Sequence, residues 1–161
     1  MTIFLGPGDY FFGSTSEQIS TLLGSCVSLV AWLPERQLIS VSHVMLPKLR
    51  DGDSQSLRYG DVALTQWMSD AKKIGVRPHD FSLALFGGST RFYSAAQYEQ
   101  SIGHKNIVFF HRELRRLGLN LRCEQTGGHY HRKLLVDAVS GRFWWQHLGD
   151  PSSPDYQEGT W

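Results

Sequence analysis

Apolar residues recur along this chain with two distinct periods. From Gly60 to Ile74, Ala63, Trp67, Ala71 and Ile74 share one stripe of a helix, and Gly75 follows as its stop. A second stripe, from about Lys105 to Leu117, carries Ile107, Phe110, Leu114 and Leu117. Arg115 and Arg116 occupy its last turn and Gly118 its cap. The remaining apolar runs are short and rich in β-branched and aromatic residues: 27–33, 37–46, 81–86, 119–124, 133–138 and 142–148. Ser140-Gly141 joins the last two as a hairpin. Six or so strands and two helices predict a single-domain α/β fold with mixed or antiparallel sheets rather than a doubly wound parallel one. Residues 1–148 form the domain, and 149–161, polar and rich in Pro and Ser, read as a mobile tail.

The first two strand-like runs flank Leu33-Pro34-Glu35-Arg36, where proline suits a type I turn. A hairpin centred on Pro34-Glu35 sets Leu33 against Arg36 and Trp32 against Gln37, and continues to Cys26 against His43. Directly opposed residues have Cβ atoms about 4.5–5.5 Å apart, within reach of a thiol–imidazole hydrogen bond. A bulge or an odd loop would turn His43 aside.

Composition narrows the setting without naming a partner. A chain of 161 residues, 41% hydrophobic and 19% charged with net charge +1, is an ordinary globular domain. It has no basic block that demands nucleic acid, no apolar run long enough to insert into a membrane, and no signal-peptide pattern. The expected setting is the cytoplasm, with both cysteines reduced.

Candidate chemistry lies in a few residues. A free cysteine is most often a small buried hydrophobe. Cys123 fits that role, alternating with Leu119 and Leu121 along its strand. Cys26 fits less well, because it follows Gly24-Ser25 where a loop enters a strand and its backbone N–H can face a substrate oxygen. A cysteine nucleophile needs a base near neutral pH, and His43 is the histidine the hairpin brings there. Thr21 or Ser20 could orient the imidazole. His129 and His131 form a possible ligand pair, yet no Cys, Asp or Glu completes a zinc spacing, so neither metal nor cofactor is expected. Gly87-Gly88 and Gly127-Gly128 match no nucleotide-binding fingerprint and suggest close backbone approach beside the site.

Five segments together resemble the CheD family of chemoreceptor glutamine deamidases: Thr-Leu-Leu-Gly-Ser-Cys-Val at 21–27, Ser-His-Val-Met-Leu-Pro at 42–47, Phe-Gly-Gly at 86–88, Ile-Gly-His-Lys-Asn at 102–106, and Thr-Gly-Gly followed by Arg-Lys at 126–133. The resemblance implies a three-layer α/β/β fold like that of the cytotoxic necrotising factor deamidases, with Cys26 as nucleophile and His43 as base. The family's threonine falls on Thr21, or on Ser20 when aligned to members with one more residue before Gly-Ser-Cys. His131 stands where members commonly have glycine. The implied reaction converts glutamines of methyl-accepting chemoreceptors to glutamates, and by the same chemistry hydrolyses glutamyl methyl esters. Substrate would meet Ser25, Gly87, Gly88, Gly127 and Gly128, and a CheC-type phosphatase is an implied partner. Two other readings remain: a non-catalytic module that binds receptors or a phosphatase, and a small-molecule amidase on the same dyad.

Overall fold

The computed structural model describes residues 1–91, 94–152 and 155–161, which form ten strands and three α-helices. The strands are β1 (Thr2–Leu5), β2 (Tyr10–Gly13), β3 (Gln18–Leu23), β4 (Val27–Leu33), β5 (Leu38–Ser42), β6 (Ser82–Gly87), β7 (Leu121–Thr126), β8 (His131–Asp137), β9 (Phe143–Leu148) and β10 (Gln157–Gly159). The helices are α1 (Gly60–Lys73), α2 (Ala95–Gln100) and α3 (Ile102–Arg116). One five-stranded sheet has the order β1-β3-β8-β9-β10 and the other β2-β5-β4-β6-β7. Each is mixed: β1 lies parallel to β3 and β6 parallel to β7, and every other pairing is antiparallel.

Two apolar layers hold these elements together. Ile19 and Leu23 of β3 and Leu134 and Val136 of β8 meet Val30, Ile39, Val41 and Phe86 of the other sheet. On the far side of that second sheet, Val27, Leu29 and Ala31 of β4 pack against Trp67 and Ala71 of α1 and Ile107, Phe110 and Leu114 of α3. The order is therefore sheet, sheet, helices, the α/β/β layering expected. Strands with both faces covered must read as continuous apolar runs, and β4 does so as Val-Ser-Leu-Val-Ala-Trp-Leu. Both predicted helices form. Helix α3 starts three residues before its apolar stripe because the Ser101 hydroxyl caps it, accepting from the His104 N–H at 3.2 Å.

Three local features depart from the pattern. The β4–β5 connection is a four-residue 3₁₀ turn over Pro34–Arg36, closed by Gln37 N–H to the Pro34 carbonyl, with Gln37 left-handed at φ 47°. It pairs Leu33 with Leu38 and Val27 with Val44. The register expected from the sequence is thus displaced by two residues, and Cys26 does not directly oppose His43.

Cys123 also sits differently. The β6–β7 register shifts between Leu83 and Ala84, so Leu121 pairs with Leu83 and Cys123 with Ala84. The irregularity turns Cys123 away from Leu121 into the layer between the sheets, where it is a half-buried hydrophobe.

The stretch expected to be a mobile tail ends in structure. Ser153 and Pro154 lie outside the described residues, but Gln157–Gly159 pairs with β9 and Glu158 accepts from Arg142 Nε at 2.7 Å. Trp161 stacks on Trp32 with ring centroids 5.8 Å apart and meets the edge of Phe143 at 5.2 Å. The apolar area of the last residue outweighs the polar composition before it.

Candidate active site

Alternation along β3 fixes which hydroxyl faces the inter-sheet space. Ile19 and Leu23 belong to the apolar layer, so Thr21 between them points the same way and Ser20 points to the outer face. Thr21 Oγ1 donates to the Leu5 carbonyl at 2.7 Å and lies 2.7 Å from His43 Nδ1, which is also 3.3 Å from that carbonyl. A hydroxyl has one hydrogen, and the carbonyl can only accept. The Thr21 proton therefore goes to Leu5, and the Thr21 oxygen accepts from a protonated Nδ1. That tautomer leaves Nε2 as the basic nitrogen. Both backbone groups of His43 are held by the Gly8–Asp9 segment, its N–H donating to the Asp9 carbonyl at 3.2 Å and its carbonyl accepting from Gly8 N–H at 2.9 Å.

Cys26 reaches the same space from the neighbouring strand. Val27 and Val44 exchange both backbone hydrogen bonds, at 3.0 and 2.8 Å, and both side chains face the helices. Their neighbours Cys26 and His43 accordingly turn to the inter-sheet side, where Cys26 touches the apolar layer. A two-residue displacement preserves the face, because side chains alternate with period two. The residues are diagonal neighbours, for which about 7–8 Å between backbones is typical and is spanned by an imidazole. Burial pushes the Cys26 thiol up, partly offset by its own backbone N–H, which leans on the sulfur. Burial likewise draws His43 below the usual imidazole range, against opposing pulls from the Leu5 carbonyl and Asp9. The resting pair is a neutral thiol and a neutral imidazole rather than an ion pair.

The expected glycine pairs form the scaffold behind Cys26. Gly87 and Gly88 hold φ of 104° and 72°, conformations that suit glycine. A Cβ on Gly87 would collide with the Cys26 carbonyl, and one on Gly88 would lie 2.6 Å from Ile107. Gly88 N–H donates to the Cys26 carbonyl and Gly127 N–H to the Gly87 carbonyl, each at 2.9 Å, while the Gly128 carbonyl accepts from Thr90 N–H at 2.9 Å. The Arg132 guanidinium, 4% exposed, donates to the Gly87 carbonyl at 3.3 Å. No carboxylate among the described residues pairs with it, and burial lowers its pKa to about 10, leaving it charged at neutral pH.

Beside Cys26 opens a groove of about 350 Å³, lined by Ser25, Ser89, Thr90, Arg91, Ser101, Ile102, Gly103 and His131. Ser25 is the member of this wall that the sequence singled out as a substrate contact. Ser89 and Thr90, which directly follow the glycine pair, went unmarked. His131 leans over Gly24, where an added Cβ would stand 2.9 Å from the ring, while His129 Nδ1 turns to the Thr90 carbonyl at 2.9 Å. Asn106, named in the sequence only as the end of the segment 102–106 and given no role, is fully buried behind Ser25. Its signal was a polar residue set directly beside the apolar stripe of α3.

A three-layer α/β/β domain with a thiol and an imidazole entering one inter-sheet space is the class of protein that fold and site define. The chain belongs to the CheD family, whose model, described as CheD chemotactic sensory transduction, matches residues 45–147. It is 33% identical to a probable chemoreceptor glutamine deamidase CheD 3 of Dechloromonas aromatica, across 88% of this chain and 85% of that one. It is 34% identical to a probable CheD 1 of Chromobacterium violaceum, across 88% and 75%. It is 32% identical to a probable CheD of the archaeon Methanococcus vannielii, across 88% and 92%. The family model begins just after His43, but a similarity covering 88% of the chain necessarily spans both Cys26 and His43.

Proposed function

We propose that this protein is a cysteine-dependent glutamine deamidase acting on chemoreceptors. The observation that carries the reading is the Thr21–His43 contact at 2.7 Å, which fixes the imidazole tautomer and leaves Nε2 as base on the face that Cys26 shares. His43 Nε2 takes the Cys26 proton as the sulfur attacks the side-chain carboxamide carbon of a glutamine. The Cys26 backbone N–H is the donor for the oxyanion. One such donor is typically worth ~10²–10³ in rate, and a general base about 10²–10⁴. The C–N bond breaks, and the nitrogen leaves as ammonia with the proton returned by His43. Water, deprotonated by the same imidazole, then hydrolyses the thioester to glutamate and free thiol.

The groove beside Cys26 is open along Ser25, Ser89 and Ile102, which suits a glutamine presented on a protein surface better than a small free amide. The test is incubation with receptor cytoplasmic fragments, followed by mass spectrometry for conversion of amide to acid. Conversion by the wild type and none by Cys26→Ala supports the reading. Tight receptor binding with no conversion by either would favour a non-catalytic binding module instead.

A further inference from the structure

The continuous β4–β5 ladder ends at Val30 and Val41, and past it the isolated Val27–Val44 bridge joins the segments that carry Cys26 and His43. A side chain from the helical layer adds a second tie just outside that bridge. Asn106 of α3 is 0% exposed and donates through Nδ2 to the Ser25 carbonyl at 3.0 Å and to the Met45 carbonyl at 3.1 Å. Ser25 precedes the nucleophile, and Met45 lies two residues beyond the base. The amide orientation is unambiguous, because Oδ1 turned toward two carbonyls would meet only acceptors. Oδ1 itself is buried with no hydrogen-bond partner among the described residues. Such an orphan costs stability that leucine at this buried site would not. What asparagine supplies in return is one nitrogen with two N–H bonds at a fixed angle, spanning two carbonyls on separate segments. Its helix is seated close by: a Cβ on Gly103 would collide with the Ser89 carbonyl, so α3 lies against the Gly88–Ser89 segment, whose N–H groups hold the Cys26 and Gly24 carbonyls.

We propose that Asn106 is a positioning residue that sets the spacing of Cys26 and His43, an assignment that rests on those two being the reacting pair. It touches neither the sulfur nor the ring. It acts by tying Ser25 to Met45 just outside the isolated Val27–Val44 bridge, so that the diagonal gap is held at a length the imidazole can bridge. Loss of about 1 Å in such a placement is enough to cost ~10² in rate.

The test compares wild type, Asn106→Leu, Asn106→Ser and Cys26→Ala on a receptor cytoplasmic fragment, with kcat, KM, melting temperature and pH profile measured for each. Asn106→Leu keeps the volume and removes both donors, and Asn106→Ser leaves room for water. The expected result for folded Asn106→Leu is a kcat lower by on the order of 10²-fold with KM within about threefold. Its pH profile moves as well: with the base out of reach, the rate follows direct ionisation of the thiol and rises only at alkaline pH. A purely structural residue would lower the amplitude in proportion to unfolding and leave the profile in place. Wild-type kcat in either folded variant overturns the proposal, as does a loss that scales with folded fraction alone. Failure of both variants to fold would assign Asn106 to the domain as a whole and overturn it equally. If Cys26→Ala remains active, the parent reading fails; if Cys26→Ala is inactive and Asn106→Leu is normal, this proposal alone fails.

Discussion

Thr21 Oγ1 and His43 Nδ1 lie 2.7 Å apart between two sheets, and the single hydroxyl proton of Thr21 is committed to the Leu5 carbonyl. The pair therefore determines which imidazole nitrogen carries a proton, although neither residue is near the other in sequence. A histidine whose second nitrogen is held by a fixed acceptor presents one tautomer and one ring orientation.

Thr21→Val removes that acceptor while preserving shape. It is expected to lower kcat about 10–10²-fold, part of the full worth of a general base, with little change in KM. Thr21→Ser should retain most activity, and Ser20→Ala, on the outer face, should be close to wild type. Steady-state kinetics on a receptor fragment checks all three.

The opposed shifts of Cys26 and His43 set the pH behaviour. With the imidazole below its ordinary 6.5 and the thiol above its ordinary 9.0, kcat/KM should form a plateau across neutral pH. The acid limb is expected below 6.5, and iodoacetamide alkylation of Cys26 should have its midpoint above 9.0. A preformed ion pair would place the alkylation midpoint in the acid range. For stability His43 and His147, both drawn down by burial, act with the same sign: at each the unfolded chain binds a proton at a higher pH than the folded one. Stability from the neutral rings is thus full above 6.5 and is lost as pH falls through the folded values. His43→Gln should flatten the melting temperature between neutral and acid pH relative to wild type.

Arg132 is a buried cation with no carboxylate partner among the described residues, so replacing it with methionine should leave the melting temperature unchanged or raised. Activity should move the other way. Arg132 bonds the Gly87 carbonyl, and the adjacent Gly88 N–H holds the Cys26 carbonyl. Loss of one charge-assisted hydrogen bond in that chain is expected to lower kcat by about tenfold. Thermal melts and kinetics on Arg132→Met check the two effects separately.

Trp161 anchors the C-terminal segment against Trp32 and Phe143. Trp161→Ala should destabilise the domain by about 1–2 kcal/mol, on the scale of two aromatic contacts, without changing KM. Denaturant unfolding measures this directly.

Much of this was legible in the sequence, for identifiable reasons. The stripes of α1 and α3 and the Ser140-Gly141 hairpin are local signals and appear as read. β1 and β2 are four residues each, and β3 carries Ser20 and Thr21 among its apolar residues, so none shows a period long enough to recognise. Cys26 and His43 fall on one face despite the wrong register because the true loop differs by an even number of residues. That Thr21 and not Ser20 meets His43 depends on which face of β3 looks inward, which follows from packing against the second sheet. Asn106 was invisible in role because its two partners, Ser25 and Met45, are far from it in sequence and meet it only through the seating of α3.

The most direct test of the whole account is capture of the covalent intermediate. A receptor fragment is turned over by the wild type, the mixture is quenched in acid, and the intact protein mass is measured with the site of modification mapped. The account predicts an adduct on Cys26 equal to the substrate less ammonia, more abundant in His43→Gln relative to its turnover rate and absent from Cys26→Ala. Deamidation that proceeds with no adduct on Cys26, or at an undiminished rate in Cys26→Ala, would contradict it.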